Sequence, residues 1–264
     1  MTAAALDASK FRSALRTHRL GRSFEYLPSC ASTNDEVAAR ARLGAEEGLL
    51  LVAGEQTAGR GRRGRVWQSP ADQNLTFSLL LRPALSAQHV APMTLLAGAA
   101  LAESLAGLGF SPRLKWPNDV LLDTAAGPRK VAGILTEMAS EAGRVRYVVL
   151  GVGINVNTEA FPGELNTRAT SLCLARGQKL DRGEVLASFV NAFEPSYDDF
   201  VARGPSAALA RWNTHALLGQ RCSVERNGEP IQGVAEAVDE TGALLVRTAS
   251  GATISVHAGE VNWL

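Results

Sequence analysis

The chain has 264 residues, more than a single core usually fills, so one large domain and one small one are expected. With 46% hydrophobic and 20% charged residues it can fill a core, and a net charge of +1 argues against a wide nucleic-acid-binding face. Three scattered cysteines (Cys30, Cys173, Cys222) show no zinc spacing and suit a reducing compartment, no secretory apolar core is evident, and no run approaches the ~18 apolar residues of a membrane span.

The segment "ALDASKFRSALRTHRL" is basic and nearly acid-free, as a mitochondrial transit peptide would be. The better reading is a helix capped at Asp7, with Phe11, Ala14 and Leu15 facing a core and Gly21 ending it. "STNDEVAARARLG" (Ser32 to Gly44) reads as a second helix. Thr33 and Glu36, or Ser32 and Asp35, have capping-box spacing, and Gly44 suits the C-terminal turn. "GLLLVAGEQ" (Gly48 to Gln56) is a buried strand that leads into "GRGRRGR" (Gly59 to Arg65). "NLTFSLLLRP" (Asn74 to Pro83) is another strand. "APMTLLAGAALAESLAGLG" (Ala91 to Gly109) is the strongest helix. The strands "RLK", "VLLD", "KVAGILTEMAS" and "RVRYVVLGVGINVN" then predict a meandering sheet with helices on one face. "RGEVLASFVNAFEPSYDDFVARG" (Arg182 to Gly204) is helical, with a break expected near Pro195. Beyond residue 215, short strands separated by "NG", "DETG" and "SG" turns predict an SH3-like barrel. The expected class is α+β: a mixed-sheet domain with packed helices (1–215) and a small C-terminal SH3-like β-barrel (216–264).

Four arginines and three glycines fill the seven positions of "GRGRRGR". Glycine lets backbone N–H groups converge on a ligand, and arginine supplies planar bidentate donors for carboxylate or phosphate. Such a loop can cradle two acidic groups and is expected to be mobile until anions neutralise it. The alternative is an arginine–glycine segment that touches RNA. In "KWPNDV" (Lys115 to Val120), Pro117 keeps Trp116 extended, and Asn118 and Asp119 form either an Asx turn or part of a magnesium site. In "RKVAGILTE" and "GVGINVN", Gly133, Gly151 and Gly153 lie in apolar strands, where glycine marks close approach of a ligand or backbone. Two such strands side by side predict a flat, narrow slot.

The ordered set "STND", "EQTAGRGRRGRVW", "KWPNDV", "KVAGILTE" and "GVGINVN", spanning about residues 28 to 160, closely resembles the catalytic domain of biotin–protein ligases. The resemblance implies a two-step reaction. Biotin carboxylate attacks the ATP α-phosphate to give biotinyl-5′-AMP and pyrophosphate, and a lysine of a biotin carboxyl carrier protein then takes the biotinyl group. Biotin and ATP are the implied substrates, with Mg2+. Carried over by motif, Ser32, Thr33 and Gln56 face the ureido ring. Gly59, Arg60 and the loop amides hold the carboxyl end, while Trp67, Gly133, Gly151 and Gly153 line the slot. Arg62 and Arg65 meet the ATP phosphates, and Asn155 the nucleotide side. Lys130, Arg62 and Asp119 are the implied catalytic residues, Lys130 and Arg62 contacting both substrates and Asp119 helping to place magnesium or the acceptor lysine. Arg63 is left outside the site.

Many bacterial relatives carry an operator-binding domain. The residues before Ser32 are too few for it, so no operator DNA is expected; with no run approaching a membrane span, no membrane partner is expected either. The family also implies homodimers and a cytoplasmic location. Some relatives cover adenine with a tryptophan after "GVGINVN"; between Asn157 and Leu172 this chain has only Phe161 as an aromatic, and "RATSL" (Arg168 to Leu172) occupies that end. A lipoate–protein ligase shares the chemistry, but the arginine loop and "KWPND" fit the biotin branch better. An RNA-binding protein is disfavoured by near-neutral charge and 6% aromatic content. A protein that merely holds biotin has no need of Lys130, Asp119 and the arginines together.

Overall fold

The computed structural model describes residues 5–226 and 229–264; the "NG" turn expected at 227–228 lies outside the described residues. Seven strands, β1 (Phe24–Cys30), β2 (Leu50–Gln56), β3 (Leu75–Leu81), β4 (Pro112–Lys115), β5 (Asp119–Leu122), β6 (Arg129–Glu141) and β7 (Arg144–Ile154), make one mixed sheet. Their order is β1-β2-β3-β7-β6-β5-β4, with only β1 and β2 parallel. The expected meander is the β4–β7 half. β1 was not anticipated: "FEYLPSC" lacks clean alternation and contains Pro28, which an edge strand tolerates.

Among the described residues, seven helices accompany the sheet: α1 (Ala8–Ala14), α2 (Thr33–Arg42), α3 (Met93–Gly107), α4 (Leu165–Arg168), α5 (Leu172–Arg176), α6 (Arg182–Arg203) and α7 (Ser206–His215). They cover both faces, not one. Leu50, Val52, Leu79, Leu81 and Leu150 join the large apolar cluster that also holds residues of α3 and α6. Their neighbours in alternation, Leu51, Leu80 and Val149, turn the other way and pack with Val37 and Ala41 of α2. Both faces of β2 and β3 are thus buried, which is why these strands read as unbroken apolar runs.

Within Ala87–Gly107, the stretch that ends in α3, a window reaches a mean hydropathy of 1.4, so by length and composition alone it could cross a membrane. That window is 72% buried inside the protein, as expected for a central helix apolar on every side. Asp7 caps α1 by accepting from the backbone N–H of Ser9 (2.9 Å) and Lys10, but α1 ends at Leu15, in extended backbone, well before Gly21. α6 runs unbroken through Pro195. Phe189, Phe193 and Tyr197 stack in succession along its buried side, across the proline position, and that packing outweighs one missing backbone hydrogen bond.

The C-terminal strands, β8 (Arg221–Arg226), β9 (Glu229–Val238), β10 (Leu244–Thr248), β11 (Thr253–Val256) and β12 (Val261–Trp263), form an antiparallel sheet in the order β11-β10-β9-β8-β12. The "DETG" turn closes as its composition demands: the Asp239 carboxylate accepts from the backbone of Thr241 and Ala243, and Gly242 takes φ +84°. This sheet is not a free appendage. Cys222, Val224, Ala235, Val246 and Val261 belong to the same apolar cluster as the seven-stranded sheet. The Trp116 indole N–H donates to the Gly242 carbonyl (2.9 Å), and the Leu217 N–H to the Leu114 carbonyl (2.9 Å).

Candidate active site

A cavity of about 1260 Å³ opens where the α2 N-terminus, the arginine loop, β5–β7 and the C-terminal sheet meet. Every predicted site residue lines it except Gly59. Gly59 sits at the base of the loop, where its carbonyl accepts from the Trp67 N–H (2.9 Å), so it shapes the loop without facing the cavity.

One end of the cavity is polar. The backbone N–H and hydroxyl of Thr33 both donate to the Gln56 amide oxygen, at 2.7 and 3.1 Å. The expected capping box does not form. Ser32 occupies the cap position without a side-chain cap bond, and the Thr33 hydroxyl turns to Gln56. Two residues that sequence reasoning passed over complete this end. The Ser78 hydroxyl lies 2.7 Å from the Thr33 hydroxyl and 2.6 Å from the Asn34 amide oxygen, and the Asn34 amide donates to Glu137 (2.6 Å). Ser78 is the one serine within the apolar run "LTFSLLL", and that was its available signal.

The middle of the cavity is the glycine slot. Gly133 and Gly153 are direct partners across the β6–β7 ladder. A Cβ at Gly153 would run into the Trp67 ring, and one at Gly151 into the Asn34 amide. The Trp67 ring therefore packs directly against the bare backbone of Gly153, and its buried indole N–H has no hydrogen-bond partner among the described residues. Lys130 Nζ stands 5.7 Å from the Trp67 ring centroid and 2.6 Å from an Asp119 carboxylate oxygen.

The far end is cationic. The arginine loop closes through Gly61 N–H to Arg65 O (2.7 Å) and makes one tight turn at Arg62–Gly64, with Arg63 at φ 56°. Its arginines do not wait for ligand anions, as the sequence reading expected. Arg60 pairs with Asp35 and, at 3.3 Å, with Glu137. Arg63 pairs with Glu225 at 3.4 Å, and Arg65 makes a two-pronged pair with Glu260. The chain supplies its own carboxylates, one of them from β8 and another from the residue just before β12. Arg62 alone meets no carboxylate at ion-pair distance among the described residues; its guanidinium reaches only the Asn118 amide oxygen, at 3.5 Å. Burial pushes the Arg62 guanidinium below its usual range and does the same to the ammonium of Lys115, a cavity residue not predicted for the site. The Arg65 guanidinium holds the Glu260 carboxyl below its ordinary range. Arg63, set outside the site by sequence, does line the cavity.

At the predicted adenine end, Asn155 is buried and its amide donates to the Thr170 carbonyl (3.1 Å), while the Thr170 N–H donates to the Lys130 carbonyl (2.8 Å). Phe161 and Arg168 line this side, and Trp263 of β12 brings a second aromatic ring to the cavity wall. Trp263 lies 91 residues beyond Leu172 in sequence, so only the fold brings it to this wall. Among the described residues no cluster of three or more His, Cys, Asp or Glu could hold a metal ion. Asp119, Asn118 and Asn155 are a sparse donor set of the kind that suits Mg2+ carried in by phosphate oxygens. Chemically, the cavity joins a hydrogen-bonding pocket, an apolar slot one ring thick and a bank of cations. It can hold an uncharged polar ring at one end and stabilise developing anionic charge at the other.

Comparison with known proteins assigns the chain to a family. Residues 26–155 match the family model of the biotin/lipoate A/B protein ligases, and residues 217–262 match that of the biotin protein ligase C-terminal domain. A bifunctional ligase/repressor BirA of Bacillus spizizenii is 38% identical over 93% of this chain and 76% of its own length. A biotin–[acetyl-CoA-carboxylase] ligase of Mycobacterium tuberculosis is 35% identical over 91% of this chain and 88% of its own. The solved structure of the Aquifex aeolicus biotin protein ligase in complex with biotin and ATP superposes with a TM-score of 0.78 at 28% identity, covering 92% of this chain and 99% of that one. By sequence over nearly its whole length, and by the fold that builds the cavity, the chain belongs to the biotin/lipoate A/B protein ligase family.

Proposed function

We propose that the chain is an ATP-dependent biotin–protein ligase. It activates biotin as biotinyl-5′-AMP and transfers the biotinyl group to a lysine of a biotin carboxyl carrier domain of a carboxylase. The observation that carries this is the single cavity joining the Thr33–Gln56 hydrogen-bonding end, the Gly133/Gly153 slot and the Lys130/Arg62 cations. A ureido ring both donates and accepts hydrogen bonds, so the polar end supports biotin over the apolar ring of lipoate.

In this reading Ser32, Thr33 and Gln56 bind the ureido group, with Ser78 and Asn34 fixing Thr33. Trp67 and the three slot glycines hold the ring and chain. Arg60 and the loop amides take the carboxyl end. That carboxylate attacks the α-phosphorus, and the bond to the bridging oxygen of pyrophosphate breaks. Lys130 and Arg62 stabilise the charge that builds on the phosphate oxygens. In the second step the carrier amine attacks the mixed anhydride, loses a proton, and AMP leaves. Asp119 holds Lys130 in position and would help to hold an Mg2+ ion accompanying ATP, which would supply charge neutralisation. Asn155 serves the nucleotide side, and Arg65 exchanges Glu260 for phosphate. Residues 1–215 act as the catalytic domain and 216–264 as the SH3-like domain that closes the cavity. Three free cysteines, two of them buried, support work in a reducing cytoplasm, with homodimerisation as part of the same proposal.

The test is biotin-dependent exchange of labelled pyrophosphate into ATP by the purified chain with magnesium. Exchange only when biotin is present is expected. A folded protein that shows none would overturn the reading.

A further inference from the structure

Seven cationic side chains among the described residues line the cavity, and five are already matched by carboxylates: Arg60, Arg63, Arg65, Lys130 and, more loosely, Arg168. The two with no carboxylate at ion-pair distance, again among the described residues, are Arg62 and Lys115. Arg62 belongs to the loop that announces an anion site. Lys115 does not; it is half-buried on β4, the outermost strand of the large sheet. An ammonium kept partly out of water and unpaired is costly unless an anion joins it in use.

Its place along the sheet says which anion. Lys130, Asp119 and Lys115 stand on three consecutive strands, β6, β5 and β4, and Lys115 is the direct ladder partner of Asp119. Lys130 faces the slot and the Trp67 ring. Lys115 stands two strands further out, roughly 10 Å at ordinary strand spacing, within electrostatic range of Arg65 and Glu260. A linear polyphosphate whose first phosphate sits at Lys130 runs outward past Asp119 to Lys115. We infer that Lys115 binds the β- and γ-phosphates of the nucleotide and, after the first step, the departing pyrophosphate. This deepens the ligase reading and rests on it.

The experiment uses the full chain and Lys115→Met, with Lys115→Arg as the conservative variant. Biotin binding at equilibrium and transfer from preformed biotinyl-AMP to a carrier domain are expected to match wild type, since neither involves pyrophosphate. The KM for ATP in adenylate formation and the inhibition constant of added pyrophosphate should both rise by about ten- to a hundredfold, the range of one hydrogen bond to a charged group. Lys115→Arg should recover most of the loss. Unchanged values for both constants would overturn the inference, as would parallel loss of biotin binding and transfer, which marks a structural residue. A second measurement needs neither a variant nor turnover. Pyrophosphate should protect Lys115 of the wild-type chain from amine acylation, read by peptide mass; no protection overturns the inference. Failure of the ligase reading is separate, since it appears as absent exchange in wild type.

Discussion

At Gly153 a single added carbon changes the site. Its Cβ would occupy the space of the Trp67 ring, so Gly153→Ala forces the indole off the sheet. Overpacking of this kind costs ~1–3 kcal/mol, so we expect biotin affinity to fall by about tenfold or more while the far-ultraviolet dichroism stays native. Unaltered affinity by calorimetric titration would show that the slot is not where the ring lies. Lys130→Ala should leave the fold intact and slow single-turnover formation of biotinyl-AMP by ~10²–10³, the usual loss for one preorganised cation at developing charge. A near-normal rate would reduce Lys130 to a partner for Asp119. A stability effect is expected at Glu194. Burial pushes its carboxyl up, but the backbone N–H groups of Leu20, His18 and Arg19 outweigh it and hold it below its ordinary value of 4.5. A depressed folded value means stability that is full above the ordinary value and lost as pH falls through the folded one. Urea midpoints between about pH 6 and 3 should therefore fall less steeply in Glu194→Gln than in wild type. The slot glycines were legible because a glycine set in an apolar strand so often marks the close approach of a ligand or a second backbone. Asn34 was not, because its Ser78 partner lies 44 residues away and its amide reads equally well as a helix-start residue.

Among the elements, the arginine loop departs most from its sequence impression. Charge density alone suggested self-repulsion relieved by ligand. The chain instead spends Asp35, Glu137, Glu225 and Glu260 on it, acids distant in sequence whose sign gives no hint of their target. Such exposed pairs are individually weak and screened by salt. The loop is thus held lightly, as suits a segment that must trade carboxylates for phosphates. Tryptic cleavage after Arg62, Arg63 or Arg65 should speed up in high salt and slow when biotin and ATP are added together; indifference to both would mean the loop neither rests on these pairs nor closes on ligand. Helix α6 errs in the opposite direction. A proline inside the pattern predicts a break, but the buried aromatics on either side carry the helix through. The Pro195 side chain is exposed, so Pro195→Ala loses little packing. It should raise stability by about 1 kcal/mol, a fraction of the ~3 kcal/mol proline penalty in a free helix. A lowered melting temperature would show that the proline itself is favourable there.

On the scale of the whole molecule, turn spacing made the C-terminal strands readable, whereas hydrophobic pattern alone could not say which sheet they would face. The shared apolar cluster changes what truncation should do. A chain ending at Leu217 strips Val224, Ala235 and Val261 from that cluster and takes Glu260 from Arg65. It is expected to melt earlier as well as to lose adenylate formation; wild-type melting would show that the two sheets are energetically separate. The placement of the aromatic side chains has a practical consequence. Of the four tryptophans, Trp212 is sealed in the core, and Trp116, though it lines the cavity, is buried and tied through its indole N–H to Gly242. Trp67 and Trp263 both face the cavity with buried, unpartnered indole N–H groups, one on the large sheet's slot and one on the small sheet's rim. Indole emission responds to just such changes of polarity and hydrogen bonding, so the protein carries two built-in optical probes of its own cavity. Single-tryptophan versions, with the other three replaced by phenylalanine, would allow arrival of the ring at Trp67 and of the nucleotide near Trp263 to be timed separately in a stopped-flow cell.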